Sequence, residues 1–229
     1  MSGQGKAVVL LSGGIDSTTT LAVALDAGYE AYALTVDYGQ GHAVEVEAAG
    51  RVASSLGVSG HVVLRLDLRG IARSSLTGPE EVPRGRSDAE ISAGIPSTYV
   101  PARNTILLSL ALAWAETIGA RDVFVGVSAV DYPGYPDCRS EFIDSFEELA
   151  AVATRCGVEG DPVRVRAPFV SMSKAEVIRL GLRLGVDYSL THSCYDPVGG
   201  LACGLCDSCV LRRRGFSEAG VRDPAAYRA

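Results

Sequence analysis

The residues of this chain that could do chemistry fall into tight groups, and the densest lies near the carboxyl end. Cys194, Cys203, Cys206 and Cys209 put four thiols within 16 positions, and Gly204 leaves backbone room for a turn between two of them. Four soft thiolate donors favour a closed tetrahedral zinc site, one ion per chain. Such a site has no open coordination position and so predicts a structural role. Two other readings of the spacing stay open. Paired disulfides need an oxidising compartment. The C-x2-C-x2-C run also matches part of an iron–sulfur ligand set, although the further C-x3-C-P element is absent. His192 beside this cluster offers an alternative ligand that four cysteines do not require. Cys138 and Cys156 stand apart, and Cys156 reads as helix-end packing.

The second group is Ser12-Gly13-Gly14-Ile15-Asp16-Ser17-Thr18, directly after the apolar run Ala7 to Leu11. Two glycines allow positive φ and close backbone approach, so successive N–H groups can converge on an anion at the positive end of the following helix. Three hydroxyls add donors. The spacing is neither GxxxxGK[ST] nor GxGxxG, so an ordinary P-loop and a dinucleotide fingerprint are both disfavoured. A bare glycine turn is also a common strand-to-helix joint. SGGIDS at the end of a first strand is more specific: it resembles the pyrophosphate-binding loop of the ATP pyrophosphatase superfamily, whose members adenylate an oxygen and let a nucleophile displace AMP. On that resemblance Asp16 is a candidate to hold magnesium against the phosphates.

Other polar groups fall at expected strand and helix ends. Asp37-Tyr38-Gly39-Gln40 closes the second strand, where nucleotide-facing groups or an ordinary polar turn would sit. Arg103 and Asn104 open an apolar helix. A cation at the positive end of a helix is misplaced by a few tenths of a kcal/mol unless an anion lies nearby, so Arg103 suggests a phosphate or carboxylate contact, or a solvated surface position. Lys174 raises the same oddity between Ser173 and Glu176, whose spacing is that of a capping box. It could reach a phosphate as a compact point charge, or be an exposed lysine. Asp131, Tyr132, Tyr135 and Asp137 lie in a Pro/Gly-rich stretch after the fourth strand. Aromatic faces and carboxylates there suit a flat heterocycle, as a rigid loop would also look.

These groups need a scaffold, and the apolar pattern supplies one. Strands over Ala7–Leu11, Glu30–Val36, His61–Leu66, Asp122–Val127 and Val163–Val165 alternate with helices over Asp16–Ala27, Val44–Leu56, Pro101–Ile118, Ser140–Cys156 and Lys174–Leu184. Gly28 and Gly57 supply two of the helix stops. The pattern predicts an α/β fold, an open parallel sheet with helices on both faces and right-handed crossovers. In such sheets ligands bind at strand carboxyl ends where strand order reverses. Residues 67–97 lose periodicity and are rich in Gly, Pro and Ser, as in a mobile loop or lid. The division expected is a nucleotide-binding domain over 1–190 and a separately stapled, zinc-binding segment over 191–229.

Composition narrows the function. The 229 residues carry net charge −6, so no overall field draws the chain to nucleic acid or anionic lipid, and the partner is expected to be small. The apolar run near the amino terminus is too short for a secretory signal and no segment reaches the roughly 20 apolar residues of a membrane span, which favours the cytoplasm and reduced thiols. An acidic exterior with this much apolar helix permits a homodimer.

Six motifs in order, LSGGIDSTT, VDYGQGH, YVPARNT, GVSAVDYPGYPDCRSEF, SKAEVI and SCYDPVGGLACGLCDSCVLRRRGF, make the chain resemble the 7-cyano-7-deazaguanine synthase family of the queuosine pathway, which serves tRNA modification, from about Ala7 to Phe216. The resemblance implies a Rossmann-like fold of the adenine nucleotide alpha hydrolase type and structural zinc on the four cysteines. It implies ATP, with magnesium, on Leu11, Ser12, Gly13, Gly14, Ile15, Asp16, Ser17, Thr18, Thr19, Thr20 and Leu21. It also implies conversion of 7-carboxy-7-deazaguanine and ammonia to the nitrile through adenylated acid and amide. Ser12, Asp16, Ser17, Lys174 and Arg103 are then the catalytic candidates. Asp37, Tyr38, Gln40, Asn104, Asp131, Tyr132, Tyr135 and Asp137 are the candidates for binding the deazaguanine. Two positions depart from the family pattern. Gly41 stands where DYGQRH has arginine, and Ala102 where VPGRN has glycine. A paralogue of another deazapurine pathway, a tRNA-modifying sulfur transferase and a zinc-dependent nucleic-acid module are the rival readings.

Overall fold

The computed structural model describes residues 5–40, 44–131 and 134–228. Five strands, β1 (Lys6–Leu10), β2 (Glu30–Asp37), β3 (Gly60–Arg65), β4 (Asp122–Phe124) and β5 (Arg164–Arg166), form one sheet in the order β3-β2-β1-β4-β5. Every pairing is parallel, with Val8 opposite Tyr32 on one side and Val123 on the other. The chain builds outward from β1 to β3 and then returns to start again at β4, so the order reverses between β1 and β4. A crevice is expected at their carboxyl ends.

Alternation along β1 divides the core. Val8 and Leu10 face one side with Leu108, Leu112, Ile143 and Phe146 of α4 (Arg103–Ile118) and α5 (Ser140–Ala153). Ala7 and Val9 face the other with Leu21, Ala49 and Val52 of α1 (Ile15–Asp26) and α2 (Val44–Leu56). Helices therefore cover both faces, as a parallel sheet requires.

Several elements differ from the periodicity. β4 is three residues long; Val125 N still donates to Arg166 O of β5, and Val125 to Val127 line the crevice. The expected helix 140–156 breaks at Thr154, whose extended backbone and hydroxyl, accepting from Gly157 N, start α6 (Arg155–Val158). Cys156 is buried there, as expected. Residues 67–97 include a one-turn helix, α3 (Asp88–Ile91), fixed by a Ser87–Glu90 capping box, and the segment buries Leu68, Ala72 and Ile91.

The largest difference is at the carboxyl end. Residues 207–219 form α8 (Asp207–Ala219), which the sequence pattern does not reveal. Its buried face includes Asp207, Ser208, Arg212 and Gly215 alongside Leu211 and Phe216, so no apolar stripe is visible. Gly215 is needed because α7 (Lys174–Arg183) passes so close that a Cβ there would lie 2.4 Å from Cγ of Lys174. Phe216 packs in one cluster with Ile15, Ala22, Val177, Ile178 and Tyr188, meeting Tyr188 edge-on at 5.5 Å.

Candidate active site

The turn after β1 leads into α1 without a side-chain cap; Gly14 is the cap residue and Gly13 adopts φ 78°. Only glycine fits at 13, since a Cβ would lie 2.5 Å from Ala49 N and 2.8 Å from Glu45 O of α2. Gly126 beyond β4 is similarly constrained, with Ser17 N 2.9 Å from where its Cβ would be. Two glycines thus let α2, α1 and the end of β4 close around one crevice. Ser12 donates its N–H to Ser17 Oγ at 3.1 Å and the two hydroxyls lie 3.0 Å apart, tying the loop to the first turn of α1.

That crevice is a cavity of about 210 Å³ at the β1/β4 switch point. From the nucleotide candidates Leu11, Ser12, Gly14, Ile15, Asp16 and Ser17 line it. Thr18, Thr19, Thr20 and Leu21 lie behind the wall instead. Thr19 and Thr20 return their hydroxyls to the carbonyls of Ile15 and Asp16 at 2.8 Å, and Leu21 is wholly buried. Tyr38, Gln40, Asn104 and Tyr135 line the same cavity with Arg103 and Lys174. Asp37 and Asp137 do not. The Asp37 carboxylate accepts from Gly39 N at 3.3 Å, and that of Asp137 accepts from Asn104 N at 3.0 Å, which caps α4 in place of a side chain of its own. Tyr132 and Gly41 lie outside the described residues.

Lys174 is the electrostatic centre. The Ser173–Glu176 capping box forms as the spacing predicts, starting α7 so that Lys174 turns inward and is 5% exposed. Its ammonium is 2.6 Å from both oxygens of Asp16 and 3.1 Å from Asp131. Two buried carboxylates therefore share one cation. Burial raises the Asp16 pKa, the Lys174 charge and hydrogen bonds lower it, and Asp131 raises it again, leaving it above the ordinary value.

Arg103 lines the same cavity, with a buried Nε that has no hydrogen-bond partner. Burial works against its charge, but Tyr38, Tyr135, Tyr195 and Cys138 around it raise its pKa overall. A buried guanidinium donor without an acceptor is what a carboxylate or phosphate ligand would satisfy. Cys138 also faces the cavity, but burial, with Asp137 beside it, pushes its thiol to about 12, so it is no nucleophile at neutral pH.

The carboxyl-terminal segment completes the wall. His192 N donates to Gly13 O at 2.9 Å, and His192, Ser193 and Tyr195 line the cavity. The segment is held by the four cysteines, whose sulfurs lie within 4.8 Å of one another. A tetrahedron of thiolates about 2.3 Å from one ion has sulfurs roughly 3.8 Å apart, so the set fits a single metal. Backbone amides of Cys203, Asp196 and Cys206 donate to these sulfurs at 3.2 to 3.3 Å, which favours thiolate over thiol. Cys206 caps α8 and Cys209 lies in its first turn. The loop 67–97 pins the same place, through the ion pair of Arg86 with Asp207.

Sequence reasoning missed Glu45, His192, Ser193, Tyr195 and Arg212 as cavity residues. Glu45 follows the quoted VDYGQGH motif by three positions, so its place in the first turn of the helix after β2 was the available signal. In the sequence His192 reads as a packing or hydrogen-bonding residue or an alternative metal ligand, and its backbone contact with Gly13 is long-range. Among the described residues no helix is long and apolar enough to cross a membrane.

Comparison with known proteins places the chain in a family. The family model described as "Queuosine biosynthesis protein QueC" matches residues 6–220. A protein of Syntrophotalea carbinolica named 7-cyano-7-deazaguanine synthase is 61% identical over 97% of this chain and 96% of its own. Relatives of the same name from Anaeromyxobacter dehalogenans and Syntrophus aciditrophicus are each 59% identical, over 97% and 98% of this chain and 95% and 98% of theirs. With the loop, the buried lysine and the cysteine cluster all inside the matched span, the chain belongs to the QueC family of queuosine biosynthesis proteins.

Proposed function

We propose that the chain is an ATP-dependent carbon–nitrogen ligase that converts 7-carboxy-7-deazaguanine and ammonia to 7-cyano-7-deazaguanine in the cytoplasm. The observation that carries this reading is the cavity itself. The glycine loop at the start of α1, the Asp16 carboxylate, Lys174 and an Arg103 Nε without a hydrogen-bond partner converge on one cavity, with Asp131 paired to the same lysine. A carboxylate must lose both oxygens to become a nitrile, and water is a poor leaving group. Adenylation gives each oxygen a good one.

Loop amides and Lys174 would stabilise charge growing on the phosphates, with the Ser12 and Ser17 hydroxyls beside them. Arg103 would hold the substrate carboxylate. Tyr38, Gln40, Asn104 and Tyr135 would bound the heterocycle, Asp131 holding Lys174 in place. Asp16 and Asp131 fit magnesium as hard oxygen donors. When bound with ATP, that ion supplies charge neutralisation on the phosphates. The four cysteines fit zinc, which would fix the wall at His192 to Tyr195 and take no part in the reaction. Thiols kept reduced in the cytoplasm suit that role.

The test is incubation with 7-carboxy-7-deazaguanine, isotopically labelled ammonium and magnesium ATP. AMP, pyrophosphate and a nitrile bearing the label are expected. Release of ADP, or AMP formation indifferent to the acid, would overturn the assignment. Cys203→Ser is expected to lose zinc by elemental analysis and turnover with it.

A further inference from the structure

The nitrogen that ends in a nitrile begins as ammonium with four N–H bonds and ends with none. A proton acceptor is therefore required near the acyl carbon at every stage. Among the described residues two carboxylates line the cavity, Asp16 and Glu45. Asp16 is occupied, both its oxygens lying 2.6 Å from the Lys174 ammonium. Glu45 lies in the first turn of α2, and its carboxylate makes no hydrogen bond or ion pair among the described residues. The groups that face it are Arg103 from the start of α4, Tyr38 from the end of β2, and His192 and Cys194 from the carboxyl-terminal segment. It thus lines the same cavity as the guanidinium proposed to hold the substrate carboxylate and feels its charge.

We propose that Glu45 is the base that takes protons from the attacking nitrogen, a role that rests on the reaction assigned above. Ammonium gives a proton to the Glu45 carboxylate and becomes ammonia. Its lone pair forms the C–N bond to the acyl adenylate as the carbonyl π pair moves to oxygen. The adduct loses an N–H proton to the carboxylate, and collapse breaks the C–O bond to AMP, which leaves with the electron pair as the amide forms. After the amide oxygen is adenylated in turn, the last two N–H protons leave the same way while the C–O bond to AMP breaks and the nitrile forms. Each proton passes to solvent before the next is taken.

The electrostatics fit the role. Burial lifts the Glu45 pKa to about 7, with His192 and Arg103 pulling it down and Cys194 pushing it up. A general base works best with a pKa near the working pH.

The experiment separates adenylation from amine transfer. With Glu45→Gln, pyrophosphate release dependent on 7-carboxy-7-deazaguanine is expected within a few-fold of the wild type. Turnover with ammonium is expected to fall by about 100-fold or more. Hydroxylamine, an amine already uncharged at neutral pH, should restore acyl transfer in the variant, and Glu45→Asp should recover part of the ammonium rate. In the wild type, the rate per uncharged ammonia should rise as pH passes through about 7 and be flat with hydroxylamine. Wild-type turnover and pH profile in Glu45→Gln would overturn the proposal. So would loss of pyrophosphate release in a folded variant, which would make Glu45 part of ATP binding. If Glu45→Gln does not fold, Glu45→Asp decides: loss of pyrophosphate release, or a fall in ammonium turnover that hydroxylamine does not relieve, sinks the proposal. A wild type that releases no pyrophosphate with the acid would sink the assigned reaction and, with it, this role.

Discussion

Two buried ion pairs flank the cavity, and their carboxylates titrate in opposite directions. In the carboxyl-terminal segment Arg212 meets Asp223 at 3.0 Å, and its remaining donors reach Thr191 Oγ1 at 2.8 Å and Tyr188 O at 3.2 Å. Asp223 also accepts from Tyr227 and from Ala225 N. Burial pushes the Asp223 pKa up, but Arg212 and these donors overcome it and leave it below the ordinary value. Asp16 is buried too, yet its one cation is shared with Asp131, and its pKa stays raised. Arg212 and Asp223 satisfy each other and fix a wall. The lysine cluster holds more negative than positive charge, the condition expected of a site that awaits a cation or a charged ligand.

The strongest way to break this contrast is to remove the shared cation. Lys174→Met strands two carboxylates in the cavity wall, so stability is expected to fall by about 3–5 kcal/mol. Acid-dependent AMP release should fall by about 100-fold or more. Asp16→Asn is expected to lose the same turnover with little loss of stability and with zinc retained. The sign of its pH dependence follows from the raised pKa. Such a group contributes fully below the unfolded value of 3.8 and loses that contribution as pH rises through its higher folded value. Removing it should flatten that decline, measured as melting temperature against pH. A fully active Asp16→Asn protein would refute the site assignment.

Asp223→Asn should behave in the opposite way. It breaks a pair whose members are each 10% exposed or less, at an expected cost of about 3 kcal/mol. Its effect on KM should exceed that on kcat if Arg212 only positions the wall. Because the Asp223 pKa is lowered, its contribution is present above 3.8 and is lost as pH falls through the lower folded value. The variant should therefore differ most from wild type near neutral pH and converge with it in acid. Equal destabilisation at all pH values would show that the substitution disrupts packing rather than charge.

Much of this contrast is legible in the residues alone, and the part that is not has a physical reason. SGGIDS after an apolar strand located the loop because strand, glycine turn and helix are contiguous in sequence. Ser173–Glu176 located the start of α7 for the same reason, and the misplaced charges of Lys174 and Arg103, readable as anion contacts or as exposed residues, both line the cavity. Helix α8 was hidden because Arg212 is buried by pairing with Asp223, and Gly215 by contact with Lys174, neither of which reads as core. Asp137 looked like a ligand group because nothing local shows that Asn104, 33 residues earlier, uses its carboxylate as a cap. His192 was missed because a tertiary contact alone brings it to the wall, and Glu45 because only its nearness to the end of β2 pointed to the cavity.

The smallest expected effect concerns two residues with positive φ at the two walls. Gly13 has φ 78° and no space for a Cβ, so its glycine is required twice over. Ala102 has φ 54° and, among the described residues, is the one non-glycine with positive φ. It sits at the cap of α4 directly before Arg103, where VPGRN in the resembled family has glycine. An L-residue in this region costs roughly 1–2 kcal/mol, whereas glycine costs about 0.4–1 kcal/mol in added freedom of the unfolded chain. The balance predicts that Ala102→Gly stabilises the protein by about 0.5–1 kcal/mol, or roughly 1–4 °C in melting temperature for a chain of this size. Turnover should stay within twofold, since Ile106 N still donates to the carbonyl at position 102 and keeps Arg103 in register. A gain in stability with a rise in KM for the acid would instead mean that strain at Ala102 helps to aim Arg103 into the cavity.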